Sequence, residues 1–139
     1  MSDDVILAKA QSLERCVRRA REELAASADF AVDLTRQDAA ILNVQRACEL
    51  AVDMAFRLVR LNDLGAPATN RDAVDVLVAA KMIDASLALS LKRMIGFRNV
   101  AVHRYADLDI TVVENVIRFG LDDLLTFSSV ALRVSPNAG

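Results

Sequence analysis

The sequence predicts an all-α fold, an antiparallel four-helix bundle with one additional short helix. Three observations carry this reading. Ala and Leu are the commonest of the 139 residues and Arg is frequent, against four glycines and two prolines, a composition that favours helix. Apolar residues recur at spacings of three and four, the stripe of an amphipathic helix. No segment alternates apolar and polar residues over the length of a strand, so no sheet is expected. The long periodic segments are joined by short connections, which lays consecutive helices side by side in opposite directions. The length suits one domain spanning residues 1–139 with a real core, and no repeat, low-complexity stretch or linker divides it.

The elements follow in order. Ser2 and Asp3 start a first helix that runs to about Ala26, with Leu13, Val17, Ala20 and Leu24 on one stripe. A loop occupies residues 27–34. Thr35 and Asp38 then read as a capping box with Asp in place of the usual Glu. They open a second helix to about Asn62, with Ile41, Val44, Cys48, Ala51, Ala55 and Leu58 as its apolar stripe. Gly65 and Pro67 read as its terminators. Asn70 opens a short third helix to about Lys81. Asp84 caps a fourth to about Arg104, and Asp109 caps a fifth to about Val134. The tail 135–139, which contains Pro136, is expected to fray.

Composition excludes several functions. With 17 Lys and Arg against 19 Asp and Glu the net charge is −2, which excludes a broadly cationic nucleic-acid binder. The total conceals asymmetry: 9–21 and 84–105 are basic, and 107–125 is acidic. Fourteen of the cations are Arg, the residue suited to phosphate. Arg15, Arg18 and Arg19 are either an RNA-facing patch or a solvated helix face. One histidine and two cysteines without CxxC spacing exclude a histidine-rich or zinc site within one chain, so no metal or cofactor is expected. The N-terminus has no basic, apolar signal pattern and no membrane span is long enough. The expected location is therefore the cytoplasm, with Cys16 and Cys48 reduced.

The fourth helix concentrates the chemistry. It holds the only histidine and the only tyrosine, His103 and Tyr105. Leu87, Leu91, Met94, Arg98, Ala101 and Tyr105 share one side of it by their 4-3-4-3-4 spacing. Arg98 thus stands where a bundle would place a leucine, and a guanidinium there must be paired or face a cleft. Arg98 and His103 are five residues apart, roughly 140° around an ideal helix, so they flank a groove, or face a shared cleft if the helix ends near His103. Asn99 lies one turn from His103. Arg supplies a permanent phosphate donor, His exchanges protons near neutrality, and Asn orients a substrate or the histidine. This set suits attack of an RNA 2′-hydroxyl on its own adjacent phosphate. An ion pair across helices, for example with Asp53, would equally explain Arg98. Tyr105 reads as a core residue with its hydroxyl at the rim, or as an RNA contact.

The stretch Arg98-Asn99-Val100-Ala101-Val102-His103-Arg104-Tyr105 matches R-N-x-x-x-H-x-Y and resembles the signature of HepT-like toxins in the HEPN superfamily of helical ribonucleases. The segment from Asn43 to Asp53 resembles that family's second helix. The resemblance implies a metal-independent endoribonuclease, working as a homodimer whose motif helices meet at the two-fold axis in a composite cleft. It implies Arg98 and His103 as catalytic, Asn99 as a supporting residue, and Asp53 and Arg104 as further candidates. Asp53 either pairs with Arg98, tunes His103 or is structural. Tyr105 resembles the site where a cognate MNT-type nucleotidyltransferase antitoxin attaches AMP, which would silence the toxin. The alternative is a non-catalytic HEPN-type module that binds a nucleotide or a protein.

Overall fold

The computed structural model describes residues 3–136. Ser2 and the tail from 137 to 139 lie outside the described residues. The chain forms α1 (Asp4–Ala26), α2 (Leu34–Leu61), α3 (Asn70–Ala79), α4 (Ala85–His103), α5 (Ile110–Asn115) and α6 (Leu121–Val134). A 3₁₀ turn, Tyr105–Asp107, follows α4. One π turn, Val116–Gly120, joins α5 to α6, with helical backbone on either side, so the two run on as one rod. No strand occurs among the described residues. The result is the predicted all-α arrangement: four rods with α3 as the short extra helix.

Polar links between helices fix the directions. Residues early in α1 meet residues late in α2, and the reverse. Asp3 accepts from Arg57 at 3.0 Å, Lys9 pairs with Asp53 at 3.2 Å, and Glu23 pairs with Arg36 at 2.8 Å. Arg21, late in α1, reaches Asp122 at the start of α6 at 2.8 Å. At the opposite end the Asp3 amide donates to Ser135 Oγ at 3.4 Å. Both pairs of helices are therefore antiparallel. Between them lies a core of Ile6, Leu13, Val44, Met54, Leu58, Leu77, Ile117, Leu121, Leu124 and Phe127, all fully buried. Each such side chain contributes about 1.5–3 kcal/mol by leaving water. Cys48 is buried in this core and Cys16 packs against it; both are free.

Helix ends depart from the sequence reading in three places. The cap of α2 is Asp33, whose Oδ1 accepts from the Arg36 amide at 3.1 Å. Thr35 and Asp38 therefore lie inside the helix and form no capping box. The reason is the preceding turn: buried Phe30 anchors it, and its carbonyl accepts from Gln37 Nε2 at 2.7 Å, so the helix can begin at once. The left-handed residue that closes α2 is Asp63 (φ 55°), not Gly65. Amides of Asp63 and Leu64 return to the carbonyls of Arg60 and Val59, the paired bonds of a Schellman closure. Lys81 (φ 61°) closes the next helix in the same way; that helix begins at Asn70 as expected, with Thr69 as its cap. Finally, the fifth predicted helix is interrupted by the π turn. The carbonyl of Ile117 in that turn accepts from Arg21 Nε at 3.2 Å. Gly120 ends the turn where a Cβ would stand 3.1 Å from Met94 Sδ, so its small size lets α4 approach. No helix among the described residues is long and apolar enough to cross a membrane.

Glu23 ties α1 to the first turn of α2, the end of the bundle that carries Asp38. It is buried, with Arg36 Nη1 at 2.8 Å and Arg19 Nη2 at 2.6 Å. The hydrogen bond from Arg36, followed by that from Arg19, holds its carboxyl below the usual range despite burial. A depressed native pKa stabilises the fold above the unfolded value and is lost as the pH falls through the native one. Glu23→Gln should therefore lower the melting temperature at pH 7. The gap from the parent should close as the pH drops below about 4, and melting curves across that range check it.

Candidate active site

The last two turns of α4 present Arg98, Asn99 and His103, and the 3₁₀ turn that follows begins with Tyr105. α4 lies against α2, and its end meets the start of α2, so residues late in α4 face residues early in α2. The break after His103 is made by Arg104, whose backbone leaves the helical region (φ −142°, ψ 51°) while its amide still returns to the Val100 carbonyl at 2.8 Å. His103, Arg104 and Tyr105 are all exposed.

Arg98 is held incompletely. Its Nε is buried and has no hydrogen-bond partner. The nearest carboxylate is Glu49 of α2, with Oε1 at 3.6 Å, too long for a hydrogen bond. That oxygen instead accepts from Gln45 Nε2 at 2.9 Å. On the other side Arg98 Nη1 reaches Asn99 Oδ1 at 3.4 Å, a weak contact. Asn99 thus lies against Arg98, whereas the sequence set it one turn from His103. The guanidinium borders a small cleft of about 170 Å³ lined by Cys48, Glu49, Val52, Asp53, Asn70, Ile95 and Arg98. A desolvated donor facing a cleft, with its carboxylate just out of reach, is a ready receptor for an anionic oxygen.

Of the parts open to Asp53, the structure shows a link between helices rather than a pair with Arg98. It lines the same cleft but pairs with Lys9 of α1 at 3.2 Å. Glu49, one turn earlier on α2, is the carboxylate that faces Arg98. The longer Glu side chain spans the gap between helices, and Lys9 holds Asp53 toward α1. Cys48, beside the cleft, is a buried core thiol whose pKa burial pushes up to about 12, so it is no nucleophile at neutral pH.

Tyr105 does not join Arg98 through a hydrogen bond. Its hydroxyl donates to Asp38 Oδ1 on the second turn of α2. Partial burial and this bond push its pKa up to about 12. Two partners therefore escaped the sequence reading. Glu49 carried a weak signal, since it sits on the α2 face shared with Gln45. Asp38 was visible, but its position after Thr35 mimicked a cap.

The chain has one tyrosine and no tryptophan, so phenolate absorbance reports Tyr105 alone. Alkaline titration should give a single transition near 12. Asp38→Asn should move it down toward the ordinary value of about 10, because an amide does not repel the phenolate.

Comparison with known proteins identifies the family. The family model described as ribonuclease HepT-like matches residues 10–131. The mRNA nuclease HepT of Shewanella oneidensis is 36% identical over 128 residues, covering 92% of this chain and 96% of that protein. Among solved structures, a toxin–antitoxin crystallised with AMP-PNP superposes with a TM-score of 0.88 at 35% identity, covering 93% of this chain and 98% of its own. The tri-AMPylated Shewanella oneidensis HEPN toxin in complex with MNT antitoxin superposes with a TM-score of 0.87 at 36% identity, covering 92% and 96%. With a family model spanning nearly the whole bundle and the R-N-x-x-x-H-x-Y stretch closing α4, this chain belongs to the ribonuclease HepT-like family.

Proposed function

We propose that this chain, acting as one domain, is the toxin of a toxin–antitoxin pair and cuts RNA as a metal-independent, homodimeric endoribonuclease. The observation that carries the proposal is the desolvated Arg98 Nε, which faces Glu49 without a hydrogen bond beside a cleft, five residues before an exposed His103 at the helix end. The RNA supplies its own nucleophile. Its 2′-hydroxyl attacks the adjacent phosphorus, the bond to the 5′-oxygen breaks, and a 2′,3′-cyclic phosphate and a 5′-hydroxyl result. His103 takes the proton from the 2′-hydroxyl, and the leaving oxygen is protonated in turn. Arg98 offsets charge on the phosphorane-like transition state, with Asn99 steadying the guanidinium. Every step is served by these groups, and DNA, lacking the 2′-hydroxyl, is spared.

A dimer resolves the geometry of the motif. Arg98 and His103 leave the helix roughly 140° apart, so one copy cannot close both on a single phosphate. Leu34 and Leu42 on α2 and Val102 on α4 are exposed apolar groups on the elements that hold the site. Covering them with a second copy through an isologous contact would bring two Arg98 and two His103 to one cleft. Arg104, exposed beside them, would add a further phosphate contact. The cytoplasm, where both cysteines stay reduced, is the proposed location. The partner is an MNT-type nucleotidyltransferase antitoxin that attaches AMP to Tyr105. The solved relatives carry AMPylation and an MNT antitoxin in complex. A phosphodiester and nucleoside there would block RNA and compete for the cations.

Purified protein should cleave RNA in the presence of EDTA and leave an RNA with a 2′-deoxy scissile nucleotide intact. His103→Ala and Arg98→Ala should each lose about 10²-fold or more of the rate while melting as the parent does. Unchanged cleavage in His103→Ala would sink the assignment. Incubation with the antitoxin and ATP should add AMP by intact mass to the parent, and none to Tyr105→Phe.

A further inference from the structure

Asp38 is left without a fold role once Asp33 caps α2. It is exposed, forms no ion pair among the described residues, and its hydrogen bond is with the Tyr105 hydroxyl. The geometry places a proton acceptor on the one oxygen that would be adenylylated. Tyr105 is itself half-exposed, so that oxygen can be approached from solvent.

Resting on the Tyr105 reading above, we propose that Asp38 is the general base for modification of Tyr105: the toxin supplies, in its own chain, the group that activates its acceptor hydroxyl. The neutral phenol is a poor nucleophile, and its proton is held more tightly than usual, so no phenolate waits at neutral pH. The proton must leave as the new bond forms. The Tyr105 oxygen attacks the α-phosphorus of a nucleoside triphosphate presented by the nucleotidyltransferase. The bond from that phosphorus to the oxygen bridging the β-phosphate breaks, and pyrophosphate departs. The phenolic proton passes to Asp38 Oδ1 and then to water. The same hydrogen bond orients the phenol, so the acceptor is aimed as well as activated.

The carboxylate acts on the reacting atom directly, and it stands outside the core and the cap, so its removal leaves the bundle intact. The test is the rate of AMP addition by the cognate MNT-type nucleotidyltransferase with ATP and Mg²⁺, for the parent and for Asp38→Asn, followed by intact mass from pH 6.5 to 8.5. The variant should be slower by about 10²-fold or more at pH 7. The ratio of parent to variant rate should also fall by about tenfold per pH unit, because hydroxide must replace the lost base. Taking the ratio cancels any titration of the nucleotidyltransferase. Equal rates would overturn the proposal. So would a slower variant with a ratio that does not change with pH, since that marks a docking or orienting role alone. If the parent itself takes no AMP, the Tyr105 reading falls and this proposal with it; if the parent is modified and only the ratio is flat, that reading stands and Asp38 is merely structural.

Discussion

The arrangement depends on one unsatisfied group, the Nε of Arg98. Elsewhere the protein pairs its partly buried charges closely. Glu23 receives Arg36 and Arg19 at 2.8 and 2.6 Å, and Asp3 receives Arg57 at 3.0 Å while also capping α1. At Arg98 the carboxylate stops at 3.6 Å and turns its hydrogen bond to Gln45 instead. Leaving a buried donor unpaired costs about 1–3 kcal/mol. A fold that closes its other buried pairs leaves this one open, at the position proposed above for the phosphate. Glu49 keeps the guanidinium from being an isolated buried charge without occupying its donors. An anion entering the cleft then gains the bond that the protein withholds.

α2 is the ruler against which the site is set. Arg36 and Arg57 near its ends fasten it to α1 through Glu23 and Asp3. Between these clamps, Asp38 and Glu49 project toward α4, and Asp53 toward α1. Sliding α2 along α1 by one turn would break both clamps, so the heights of Asp38 and Glu49 relative to the motif helix are fixed by contacts remote from it. The far side of α4 is set differently. There the π turn and Gly120 let α4 sit close to the α5–α6 rod, and Arg21 satisfies a carbonyl in that turn. The expense of an irregular helix is thus met by a side chain of α1, and the benefit is close packing behind the motif.

Much of this was legible in the amino-acid sequence, and the rest fails for identifiable reasons. Stripes such as Leu13-Val17-Ala20 and Ile41-Val44-Cys48 carry the helices because burial follows period, and period survives in the sequence. Caps are less legible, since several short polar residues stand near each helix start. Asp33 prevails over Thr35 because Phe30 and Gln37 have set the turn before it, a tertiary effect. Asp63 and Lys81 adopt positive φ where glycine would be the usual choice, so no residue type announced the closures. The π turn leaves one extra residue that period arguments over a long helix absorb without trace. For the site, Arg98 stood out because a cation broke an apolar stripe, and Asn99 and His103 because the stretch around them resembles a known signature. Their partners did not, because pairing across helices depends on heights that only the assembled bundle defines. Asp53 and Glu49 are one turn apart, and nothing in the sequence chose between them.

Placing the motif at the broken end of α4 gives one short stretch two environments. Up to His103 the residues are helical, and their directions are fixed by α4 and its packing. Past Arg104 the backbone turns, and Tyr105 swings back to α2 and Asp38. Had the helix continued, Tyr105 would lie seven residues after Arg98 on the same stripe, with its hydroxyl among the motif side chains. The break separates them: the cleft beside Arg98 stays open, and the phenol is held aside by a carboxylate. The separation is short, two residues from His103 to Tyr105, so a bulky anionic group on that oxygen would return toward the cations it was kept from. Repulsion by the Asp38 carboxylate would drive it the same way. The turn that keeps the tyrosine out of the cleft would thus also make the proposed modification felt there.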